Sequence, residues 1–154
     1  MKWERWFSVA VLSFEHNDEL GIDLRSTTGG GAGRFLVQTN RWTWAAFATA
    51  LYSREHYTGE EAGNNNLEAG LGTNLQVFTF GDHETDISAG FVLLPSLSDT
   101  GRNRLQLTAK LKREFIKDLY FSVDLFETYD SRPPQQLTDK KNDFGITMAL
   151  GWSY

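Results

Sequence analysis

The chain closes on FGITMALGWSY (144–154), in which Phe144, Ile146, Met148, Leu150, Trp152 and Tyr154 alternate with Gly145, Thr147, Ala149, Gly151 and Ser153. Successive side chains of a strand point to opposite faces. Read as a strand, the segment is bulky on one face and nearly bare on the other. A helix would mix the two sets around its circumference. A narrow closed barrel has use for both faces, since small inward residues leave room for large ones elsewhere in its interior. The segment therefore reads as the last strand of a barrel, and TTGGGAG (27–33) is thin in the same way.

The same two-residue period recurs upstream. Eight strands are expected, at about 3–16, 19–37, 41–56, 66–79, 85–95, 103–115, 119–131 and 143–154. The alanine-rich 43–51 stretch is assigned to a strand because its flanks alternate. With 154 residues, 14 glycines, 3 prolines and no repeat or linker, residues 1–154 are read as a single β-barrel domain. The opening MKWERWFSVAVLSF reads as a strand rather than an export signal, because Glu4 and Arg5 interrupt its apolar run. If exported, the chain is then a fragment or the mature part of a longer one. A net charge of −5 without a basic stripe argues against nucleic acid as a partner, and the absence of cysteine excludes disulfides and thiolate metal sites. No apolar run approaches the roughly 20 residues of a membrane helix. The mean hydropathy of −0.40 also suits a transmembrane barrel, whose lumen is polar.

The connections form a second pattern. The even-numbered ones, QTN, GDHE and IKD, are short; three of the four odd-numbered ones, HYTGEEAGNNN, SLSDTGRNR and SRPPQQLTDKKN, are long. In an up-and-down barrel these fall at opposite ends, and short turns opposite long loops are the habit of outer-membrane barrels. Hairpin turns set the expected registers. A two-residue turn at Asn17-Asp18 would put Val11 opposite Leu24 and Ser13 opposite Ile22. A three-residue loop at 116–118 would put Leu111 opposite Val123, Ala109 opposite Leu125, and Lys110 opposite Asp124.

Alternation alone leaves open which face meets water. Trp3, Trp42, Trp44, Trp152 and Tyr154 fall at the short-turn end; Tyr52, Tyr57, Tyr129 and Phe144 fall toward the long-loop end. The separation, on the order of 20–25 Å along a tilted strand, matches the height of an outer-membrane apolar band between aromatic girdles. Trp3, Trp42, Trp44, Tyr52, Tyr129, Trp152 and Tyr154 are accordingly expected at membrane interfaces. The opposite face carries Asp23, Arg25, Glu68, Lys110, Lys112 and Asp124, expected as a mixed-charge polar network in the lumen.

The stretches DLYFSVDLFETYDSRPP and KNDFGITMALGWSY, with DLRSTTGGGAGRFL, resemble the salt-induced outer-membrane protein family, bacterial β-barrels of unassigned biochemical role. The resemblance covers nearly the whole chain but only the C-terminal portion of a typical member. The last strand also resembles the C-terminal signal read by the barrel-assembly machinery, with Ala149 where that signal usually has glycine. The resemblance implies outer-membrane lipid and that machinery as partners.

Catalytic chemistry is weakly represented. His16, His56 and His83 lie in or near turns, and His56 with Glu55 and Asp130 is the nearest approach to a catalytic set. DHETD (82–86) lacks the spacing of a cation loop, and GGGAG is followed by neither a helix nor a Lys-Ser/Thr pair. The sequence is thus read as an all-β, antiparallel up-and-down transmembrane β-barrel of about eight strands in the bacterial outer membrane. It is read as non-enzymatic, without cofactor, metal or catalytic residues, in a structural or envelope-stress role. The alternatives are a soluble lipocalin-like barrel holding a small apolar ligand and an outer-membrane hydrolase.

Overall fold

A computed structural model describes residues 5–17, 22–57, 64–80, 84–116, 119–132 and 141–152. They form β1 (Trp6–Asn17), β2 (Ile22–Gln38), β3 (Trp42–Tyr57), β4 (Asn64–Thr79), β5 (Thr85–Pro95), β6 (Asn103–Ile116), β7 (Leu119–Asp130) and β8 (Asn142–Trp152). All eight expected strands are present, including β3 across the alanine-rich stretch. They make one antiparallel sheet in chain order from β1 to β8, and the sheet is not closed by a β1–β8 ladder among the described residues.

The β6–β7 register is as expected, with Leu111 opposite Val123, Ala109 opposite Leu125 and Lys110 opposite Asp124. The β1–β2 register is not. Val11 lies opposite Gly29 and Ser13 opposite Thr27, and the pairing ends at Asn17 and Ile22 after an irregularity at Glu15/Asn17. The last pair leaves residues 18–21 between the strands, and the ladder is displaced by an odd number of positions. An odd shift exchanges faces, so Val11 leaves the face on which it was expected. Two kinds of pairing favour the observed register. Glu15 comes opposite Arg25, and Phe7, Val9 and Val11 come opposite Gly33, Gly31 and Gly29.

Ladder partners share a face, so the registers sort every strand into two sets. One face carries Leu12, Phe14, Trp44, Leu71, Ile87, Leu107 and, from β8, Phe144, Ile146, Met148, Leu150 and Trp152; all of these are exposed. The other carries the small residues of β8 and β2 together with aromatics from adjacent strands. A Cβ at Gly145 would overlap the Phe126 ring, and one at Gly33 would overlap Phe7. Phe47 lies against Gly72, and Tyr120 against Gly151, in the same fashion.

That second face is the inside. Arg25 of β2 comes within 3.7 Å of Asp130 of β7, although the strands are far apart in the sheet. The sheet must roll for them to meet. Its interior is unusual for a water-soluble domain. Among the described residues, the buried apolar side chains are Ile22, Ala45, Leu51 and Leu94, whereas Arg25, Glu55, Glu68, Arg102, Arg104 and Asp130 are all buried charges.

The ladders are steeply staggered. Following paired residues from Trp6 leads through Arg34, Ala46, Thr73, Phe91, Leu107 and Glu127 to Phe144. The row leaves β1 at its short-turn end and arrives on β8 near the long-loop end.

Candidate functional site: a buried ionic cluster at the long-loop end

Charged residues gather where β1, β2, β3, β4, β6 and β7 meet the odd-numbered connections. Register makes the first set: Arg25 is flanked by Glu15 on β1 and Glu55 on β3. Arg25 Nη1 donates to Glu15 Oε2 at 2.9 Å, and its Nε donates to Glu55 Oε1 at 2.8 Å. Beneath them Thr27 and Ser53 hydroxyls pair at 3.1 Å, and Ser53 donates to Glu68. Arg104 at the start of β6 grips Glu68 with Nε and Nη2, the two-pronged geometry that suits guanidinium and carboxylate.

Arg102 completes the cluster from outside the strands. Its Nη1 donates to Glu55 Oε2 at 2.8 Å, and its Nη2 donates to Asp130 Oδ2 at 2.6 Å. One side chain thus spans β3 and β7. Burial pushes its pKa down, but the Asp130 hydrogen bonds and the attraction of Glu55 outweigh that and hold it above the ordinary arginine value. Arg25 Nη2 and Asn66 Nδ2 are buried without a hydrogen-bond partner.

The segment that delivers Arg102, residues 96–102, is fastened to β4 and to Arg132 beyond β7. The Ser96 and Ser98 hydroxyls donate to Asn66 Oδ1, and Leu97 N–H donates to the Leu67 carbonyl at 2.7 Å. Arg132 Nη1 donates to Asp99 Oδ1 and the Thr100 carbonyl, each at 3.0 Å. Gly101 turns the chain with a φ of 94°, a conformation open to glycine at little cost.

Of the polar residues singled out in the sequence, Arg25 and Glu68 lie in this cluster. Lys110 and Asp124 form a separate pair at 3.2 Å, with their side chains 56% and 40% exposed. Lys112 sits 4.0 Å over the Tyr120 ring. Asp23 is exposed and outside the cluster; its carbonyl accepts a hydrogen bond from His16 Nδ1. Sequence reasoning did not assign Glu15, Arg102 or Arg104 to this site. The signal was a charged residue at the long-loop end of a strand, on the same parity as the small residues. Glu55 and Asp130 were grouped with His56 in the nearest approach to a catalytic set, but neighbouring residues of a strand face opposite ways. Glu55 points inside and His56 outside, so that set does not assemble. His83 lies outside the described residues. Among the described residues no three or more His, Cys, Asp or Glu side chains are gathered in a metal-holding arrangement.

Trp42, Trp44, Tyr52, Tyr129 and Trp152 are all exposed on the outer face, the tryptophans toward the short turns and the tyrosines toward the long loops. Trp44 Nε1 donates to Thr73 Oγ1 at 2.7 Å. Trp3 and Tyr154 lie outside the described residues.

A model of the family described as protein of unknown function, DUF481, matches residues 2–154. The chain belongs to that family. No curated protein and no solved structure matches it.

Proposed function

We propose that this DUF481 chain is an integral β-barrel of the bacterial outer membrane. It is non-enzymatic, with a polar lumen and a structural or envelope-stress role. The observation that carries the proposal is the inversion of polarity: charges are buried inside while long apolar side chains cover the outside. Met148 and Leu150 are 73% and 77% exposed. Exposed apolar surface on this scale marks contact with another apolar phase. Tryptophans and tyrosines near the two ends of the outer face suit headgroup girdles. A lipocalin-like barrel would need the reverse arrangement, and the His56–Glu55 pair that a hydrolase would use is split between faces. The resemblance to the salt-induced outer-membrane family agrees with this reading, with membrane lipid and the barrel-assembly machinery as the implied partners.

The stagger fits closure. Phe144 lies on the row of Trp6, so setting the short-turn ends Trp6 and Trp152 side by side displaces the row by about eight residues, which for eight strands is a tilt of roughly 36°. That even displacement brings inner residues together, with Phe7 against Gly151, Val9 against Ala149 and Val11 against Thr147. Large side chains again lie on small ones. Heat-modifiable gel migration after refolding in detergent is expected, and a chain that is monomeric and soluble without detergent would refute the membrane reading. Cysteines at Trp6 and Trp152, near-opposed by this register, should cross-link within a chain. Failure there in a heat-modifiable protein would refute direct closure alone.

A further inference from the structure

We propose that residues 96–102 are a strap that seals the long-loop mouth of the barrel, with Arg102 as its pin. The proposal rests on the barrel reading above. Arg102 enters the interior from a connection rather than from a strand, yet it is only 5% exposed. It bonds Glu55 of β3 and Asp130 of β7, and Arg25 with Glu15 adjoins the same carboxylates. Side chains from β1, β2, β3 and β7 therefore converge at one level. Further from the long-loop mouth the same face opens. Two separate clefts lie there, one of about 320 Å³ beside Thr108, Lys110 and Asp124 and one of about 200 Å³ beside Phe78, Lys112 and Tyr120. In the barrel reading the lumen is then blind at the level of this cluster.

The strap is attached differently from the strands. Every strand is held by a ladder of main-chain bonds. The strap has a single bridge, Ser96 to Glu68, and main-chain bonds from Leu97 and Ser98 to the Leu67 carbonyl; the rest of its attachment is by side chains: Ser96 and Ser98 on Asn66, Arg132 on Asp99, and the buried Arg102 itself. Lifting it breaks these few bonds and leaves the seven strand ladders in place. Its withdrawal removes one of two guanidinium groups facing Glu15, Glu55 and Asp130. The exposed mouth is then dominated by carboxylates and passes cations in preference to anions.

Two measurements test this on the full chain, both after heat-modifiable migration has established that the barrel is formed. In planar bilayers with KCl, Arg102→Ser is expected to raise the mean current about tenfold or more over the unsubstituted protein, with K⁺ carried in preference to Cl⁻, and Arg102→Lys to fall between. Currents equal in a folded Arg102→Ser variant and the parent would overturn the strap. The second leaves the cluster untouched, so it does not depend on that variant folding. Thr108→Cys, on the inner face beyond the strap, should react with a charged, membrane-impermeant thiol reagent from the short-turn side only. Equal reaction from both sides would overturn the seal. Absence of heat-modifiable migration in the parent would count against the barrel reading instead.

Discussion

The interior is built in two ways, one at each end. Toward the long loops, six strands and a strap contribute charges that pair with one another. Toward the short turns, rings lie along the wall against glycines of the next strand: Phe7 on Gly33, Phe47 on Gly72, Tyr120 on Gly151. The first arrangement holds remote strands together, and the second fits neighbours. A buried ion pair adds little net stability over an apolar substitute, yet it is costly to break on one side. Ring-on-glycine packing is local, and its failure is confined to one ladder.

The comparison can be broken at several points. Glu55→Ala strands both Arg25 and Arg102 without their shared carboxylate and should cost about 3–5 kcal/mol, read as a lower urea midpoint for the refolded protein. A loss below about 1 kcal/mol would mean that the cluster does not hold the roll. Gly33→Val drives a branched side chain into Phe7 and is expected to cost about 1–3 kcal/mol by the same measurement, because overpacking forces side chains off their rotamers. The third test sharpens the contrast. Lys110 and Asp124 are paired but well exposed, so Lys110→Ala should cost less than about 1 kcal/mol, and exchanging the two charges should differ little from removing one. A penalty as large as that of Glu55→Ala would place this pair in a buried environment.

Much of the fold was legible because alternation is a local signal. The eight strands, the short even-numbered turns and the bulky outer face of β8 all follow from residues near one another in sequence. The Lys110–Asp124 pair was legible for the same reason, since a tight loop fixes the β6–β7 register. The β1–β2 register was not. HNDEL offers several places to turn, and the choice is made by contacts beyond the turn: Val9 and Val11 on the glycines, Arg25 between two glutamates. The cluster was the least legible part. Its members come from separate strands and one connection, and only the rolling of the sheet brings Arg102 and Asp130 to Glu55. Sequence placed Glu55 with its neighbour His56, which the pleat turns away.

Consecutive strands are ladder partners throughout, so every hairpin can form as soon as its two strands exist. The charges obey a different schedule. Glu55 finds Arg102 only 47 residues later in the chain, and Arg25 approaches Asp130 only when β7 is in place. Contacts of such long range form late, after the chain entropy between them has been given up. During assembly the early strands carry charges whose partners have not yet arrived, and the last of these is satisfied only when the sheet has rolled almost fully round. The cluster thus works as a completion check: a partly assembled sheet keeps unpaired ions facing inward, and only the finished roll silences them together.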